Sequence, residues 1–161
     1  MKTVSIISII YGVLGVIWGT LVLAVMQVQS ALFEDFPWPP EVNQFLDMPS
    51  LISALHSFWS YLMPFVVVIA IIYMVSGILG LSDKPHAVTF GLLAAVFNII
   101  WYVAYVIILQ VEFVPAINTG DFFPEKLFQV LMLLGVLLNG IFYCGYPVFL
   151  IIYLNKVRQK S

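Results

Sequence analysis

Four stretches of the chain, 4–28, 58–81, 87–111 and 127–155, contain no Asp, Glu, Lys or Arg. Each exceeds the ~20 residues that an α-helix needs to cross ~30 Å of hydrocarbon. Each is also too long for a barrel strand and lacks the apolar–polar alternation that such strands carry. A backbone in lipid has to satisfy its own N–H and C=O groups, and a long single segment does so only as a helix. Composition closes off a water-soluble alternative: 63% of residues are hydrophobic and 9% charged, against about 45–50% and roughly 25% in soluble domains. The same shortage of Lys and Arg argues against nucleic acid as a partner, since phosphate contacts need clustered cations.

The sequence therefore predicts an all-α integral membrane protein. It is a single domain over 1–161, a bundle of four transmembrane helices at about 4–28, 50–81, 85–111 and 124–155. Outer loops lie at about 29–49 and 112–123. The first apolar run, at about 25 residues, is longer than the ~7–15 of a signal-peptide core and reads as a span.

The charges set an orientation. Lys2, Lys84, Lys156, Arg158 and Lys160 fall on the termini and the middle loop, whereas Lys126 alone falls on the other side. Lys and Arg in short loops stay inside, so both termini are expected in the cytoplasm. The acids Glu34, Asp35, Glu41, Asp47, Glu112, Asp121 and Glu125 fall on the outer side. Counting along the spans, Trp18, Trp38, Trp59 and Trp101 all sit towards the outer leaflet, where interfacial tryptophan gathers.

The loops carry their own punctuation. Ser82-Asp83-Lys84-Pro85-His86 is short enough to make the second and third helices antiparallel neighbours, with Pro85 suited to a first helical turn. Asn118-Thr119-Gly120-Asp121 is a turn signal. In the first outer loop, Phe36-Pro37-Trp38-Pro39-Pro40 cannot be helical. The apolar residues Val42, Phe45, Leu46, Leu51, Ile52, Leu55 and Phe58 then recur at helical spacing, which predicts a short amphipathic outer segment before the second span. Inside the spans, Pro64 and Pro147 each remove a helical hydrogen bond and are expected to kink their helices.

Lipid supplies no hydrophobic drive between helices, so small residues and interhelical hydrogen bonds have to hold a bundle together. Ser5, Ser8, Gly12, Gly15 and Gly19 repeat at spacings of three and four, a smooth stripe along one face of the first span. Gly91 and Ala94 open a similar face on the third. This marks the first helix as a packing interface, with a partner inside the chain or in another subunit. Asn98 and Asn139 are the only amides well inside the spans, both near mid-bilayer by residue count. They are expected to bond each other or a facing carbonyl, or else to form a polar step in a conduction path.

An ionisable residue within the membrane is the usual pointer to function, and the four runs have none. His56 and His86 fall on opposite sides, Glu112 falls at an interface, and Cys144 is an uncharged thiol within the fourth span. No catalytic residue, metal ligand or cofactor site is legible. The expectation is a non-catalytic accessory or scaffolding subunit of a larger membrane complex, surrounded by lipid and touching other subunits through its first helix. A bacterial inner (plasma) membrane is the expected location. The alternatives are a small oligomeric channel or transporter lined by Asn98 and Asn139, and an enzyme working at the outer surface through His56, Glu112 or the loop acids.

Overall fold

The computed structural model describes residues 2–33, 36–39, 42, 48–113 and 125–158. Four helices make up its architecture: α1 (Lys2–Phe33), α2 (Met48–Leu81), α3 (His86–Ile108) and α4 (Glu125–Arg158). The end of α3 widens into a π-helical turn, Leu109–Phe113. No strand occurs among the described residues. All four helices are long and apolar enough to cross a membrane.

The helix ends differ in places from the sequence reading. α1 runs beyond position 28 to Phe33, because nothing before Pro37 breaks it and Ser30 Oγ donates to the Gln27 carbonyl at 3.1 Å. The chain then loses regular structure over 36–39, and the Phe36 and Trp38 rings pack at 4.8 Å. Of the amphipathic pattern read from Val42 to Phe58, the part from Met48 onward forms the start of α2, while 43–47 lie outside the described residues, as do Glu34, Asp35, Glu41 and the Asn118–Asp121 turn.

Successive helices pack on each other in order, α1 on α2, α2 on α3 and α3 on α4. The α2–α3 turn shows why the chain reverses so tightly. Asp83 adopts φ 50°, the Lys84 N–H donates to the Leu79 carbonyl at 2.9 Å and the Asp83 N–H to the Gly80 carbonyl at 3.4 Å. This is a Schellman closure with Asp in the left-handed position usually given to glycine. Pro85 follows as the N-cap of α3.

The α1–α2 seam is a backbone-to-backbone contact. Ser5, Ser8, Gly12 and Gly19 are buried on α1, with Gly15 half-buried between them. A Cβ placed on Gly12 would lie 2.5 Å from the Ala70 carbonyl oxygen and 2.5 Å from Met74 Cγ. From the other side, a Cβ on Gly77 would lie 2.5 Å from the Ser5 carbonyl oxygen. The small-residue stripe of α1 is therefore taken up by α2 within the chain, and that face has no room for another subunit. Met63, Tyr73, Ala94 and Ala95 are fully enclosed at the centre, with Ala87, Gly91, Ala94, Asn98, Trp101 and Tyr105 forming the buried face of α3.

The outward surface is hydrocarbon. Ile10, Leu14, Ile17 and Leu21 on α1, Phe65 and Val68 on α2, and Leu134, Leu138 and Phe142 on α4 all stand exposed. So many exposed apolar side chains on four long apolar helices are consistent with a multi-helix membrane bundle.

Candidate functional site

Halfway along the helices the apolar packing gives way to a polar, aromatic cluster. Its key is Pro147. Proline has no N–H, so the carbonyl four residues back in α4, that of Tyr143, loses its helical donor. Asn98, on the facing side of α3, donates Nδ2–H to that carbonyl at 2.5 Å. The amide and the proline thus solve one problem together: the proline frees an acceptor and the asparagine satisfies it. Asn98 is 7% exposed, so its bond is made away from solvent, where an unmet carbonyl costs most.

Other side chains also reach carbonyls across the bundle, though not ones that a proline has freed. Trp101 donates from Nε1 to the Leu62 carbonyl at 3.0 Å. The Tyr102 hydroxyl donates to the Val136 carbonyl, and Ser76 Oγ donates to the Ala87 carbonyl at 2.9 Å. Ser8 Oγ and the Tyr146 hydroxyl pair at 2.6 Å, tying α1 to α4. α2 continues through Pro64 and α4 through Pro147 without interruption.

Tyr11 stands edge-on to Tyr73 with ring centroids 5.1 Å apart, and 4.8 Å from Tyr146. Tyr73 is 0% exposed, and its hydroxyl has no hydrogen-bond partner. Against this cluster lies a recess of about 300 Å³. Val66, Ile69, Ala70, Tyr73, Asn98 and Trp101 from α2 and α3 form its floor, while Leu14 and Trp18 of α1 and Phe142 and Tyr143 of α4 flank it. Leu14, Trp18 and Phe142 are exposed, so the recess opens sideways between α1 and α4.

The two interior amides are not brought together. Asn98 is buried against Tyr143, whereas Asn139 is exposed on α4. They line no common path within the chain. Gly135, one turn before Asn139, has nothing within 4 Å of where a Cβ would stand, and the same holds for Gly145. His56 is half-buried in α2 and His86 exposed at the start of α3, at opposite ends of the bundle. Glu112 sits in the π-helical turn, and its side chain lies outside the described residues. Cys144 is a half-buried free thiol. Among the described residues, no group of three or more His, Cys, Asp or Glu could hold a metal ion.

Sequence reasoning singled out Asn98 and Pro147 separately but not their pairing, and it passed over Tyr11, Tyr73, Tyr143 and Tyr146. A signal for the pairing exists. The carbonyl freed by an interior proline is always four residues earlier, and Tyr143 falls at a similar depth to Asn98. No protein family, curated protein or solved structure matches the chain.

Proposed function

We propose that the chain is a non-catalytic, multi-pass membrane protein, an accessory or scaffolding subunit with both termini in the cytoplasm. Its partners dock on the α4 face that carries Gly135, Leu138, Asn139 and Phe142. The membrane setting rests on the four apolar helices and their hydrocarbon exterior. The orientation rests on five basic residues against one. The plasma membrane of a bacterium is the setting proposed for it.

One observation carries the docking reading: an exposed carboxamide, Asn139, within the apolar length of α4. Polar groups in a membrane span turn towards protein, not lipid, because each unmet donor or acceptor is costly there. Gly135 beside it leaves open space over the backbone, which is how a second helix comes close enough to meet an amide. α1 offers no such face, since its stripe is spent on α2.

The test places a photocrosslinking amino acid at Leu138 or at Ile17, which are 59% and 54% exposed, and irradiates intact membranes. Leu138 is expected to give a discrete higher-mass adduct that Asn139→Leu diminishes, and Ile17 to give none. Equal labelling at the two positions, or no adduct at Leu138, would rule the α4 face out.

A further inference from the structure

We infer that the cleft beside the α2–α3 turn is a phospholipid site. It takes a zwitterionic ethanolamine headgroup at its mouth and an acyl chain along α3. The inference rests on the membrane setting proposed above and is independent of the α4 docking face.

The cleft offers about 720 Å³, roughly five times the ~150 Å³ cavity that takes up benzene. Its lining changes character in one direction. Asp83 and Lys84 stand at the turn, with the Thr89 hydroxyl a little further along α3. Beyond them Leu92, Leu93 and Val96 continue the wall as hydrocarbon, joined by Val157 from the end of α4. In a chain that crosses a bilayer, a turn between two spans lies at headgroup level and the helix beneath it lies in hydrocarbon. Charge above and hydrocarbon below is the order in which a phospholipid presents its own groups. A water-soluble ligand would leave the apolar wall uncovered, and a bare acyl chain would leave the charges unmatched. The wall from Thr89 to Val96 covers roughly 10 Å at 1.5 Å per residue, far short of the ~30 Å of hydrocarbon that a docking helix would follow.

The charges choose the headgroup. Among the described residues of the lining, one carboxylate and one ammonium carry charge, Asp83 and Lys84. The Asp83 and Lys84 N–H groups are committed to the Gly80 and Leu79 carbonyls, which fixes where both side chains start. Asp83 holds φ 50°, a conformation that glycine adopts without strain, and the aspartate there keeps a negative charge at the mouth. Lys84 is matched by a phosphate oxygen and Asp83 by an ammonium with N–H groups to donate. A purely anionic headgroup would set a second negative charge against Asp83. A choline headgroup brings a positive charge but no N–H. Phosphoethanolamine supplies both complements.

The full-length chain is placed in phosphatidylcholine nanodiscs with a phosphatidylethanolamine whose acyl chain carries a diazirine near the glycerol. After irradiation the labelled residues are mapped by mass spectrometry. Saturable labelling is expected within 88–96 and at Val157. Unlabelled phosphatidylethanolamine, replacing part of the phosphatidylcholine, should displace the probe at about one-fifth of the level needed with phosphatidylglycerol, the effect of one exposed charge pair. Water-soluble glycerophosphoethanolamine should not compete. Asp83→Asn, which tolerates a left-handed backbone, is expected to abolish the preference between the two lipids. Lys84→Gln is expected to weaken probe binding about fivefold. Thermal unfolding in the same discs verifies that both variants are folded. Equal displacement by the two lipids, a preference that survives Asp83→Asn, or labelling spread evenly over outward residues such as Ile6, Phe65 and Ile152 would overturn the inference. So would competition by the soluble headgroup. Release of the chain from its native membranes by alkaline carbonate would overturn the membrane setting together with the site, whereas an inserted chain without headgroup preference would overturn the site alone.

Discussion

The α1–α2 seam and the α4 side of the bundle are built on opposite principles. At the seam, glycine and serine bring two backbones into direct contact, and a methyl group on Gly12 or Gly77 would collide with carbonyl oxygens. On α4, Gly135 and Gly145 face open space, and attachment comes from long side chains reaching across to carbonyls and hydroxyls: Asn98 to Tyr143, Tyr102 to Val136, Ser8 to Tyr146. In the lipid setting proposed for this bundle, burial of apolar surface between helices brings no gain, and close packing and interhelical hydrogen bonds supply the cohesion. One bundle uses each in a different half. The difference teaches that small residues in a membrane helix do not by themselves report an interface. What matters is whether something stands opposite them.

Four substitutions sharpen this contrast, three read for their cost and one used as a background, beginning with the largest effect. Gly77→Leu drives a branched side chain into the Ser5 carbonyl and the Ile9 backbone. Overpacking of this kind is expected to cost about 3 kcal/mol or more, read from the midpoint of unfolding in mixed dodecylmaltoside and SDS micelles. Asn98→Leu leaves the Tyr143 carbonyl without a donor and is expected to cost about 2 kcal/mol. In a Pro147→Ala background the restored backbone N–H serves that carbonyl. The cost of Asn98→Leu should then fall to less than half, and the same unfolding assay run as a double-mutant cycle reads the coupling. Ser8→Ala removes the hydroxyl paired with Tyr146 and is expected to cost only about 0.6–1 kcal/mol, the usual worth of such a bond between membrane helices.

Much of the fold was legible because a long apolar run without charge has few solutions other than a helix. The uncharged runs mark the four long apolar helices, and the Ser82–His86 turn forces α2 and α3 together. The spacing of Ser5, Ser8, Gly12, Gly15 and Gly19 marks a close-packed face. What the spacing could not say is which helix lies against it, since a smooth stripe accepts any backbone. The apolar run read as the first span ends at about 28, yet α1 continues through Gln29 and Ser30 to Phe33. Those residues still propagate a helix, and only the prolines beyond Phe33 stop it. Of the candidate site, Asn98 was visible as a polar residue among apolar ones. Its role depends on a carbonyl freed by Pro147, a consequence of backbone geometry that becomes a contact only when two helices are set side by side. The tyrosines were hidden for a related reason: an aromatic residue in an apolar run looks like ordinary filling until its hydroxyl is found next to another.

The central claim is that α1 is locked to α2 by backbone contact, while α4 keeps an open face. Its most direct test is to unfold Gly12→Ala and Gly135→Ala side by side in the same micelles. A single methyl group at Gly12 is expected to cost about 2 kcal/mol through overpacking. At Gly135 the same methyl should be neutral or add up to about 1 kcal/mol through helix propensity. Equal losses at the two positions, or a tolerated methyl at Gly12, would contradict the account.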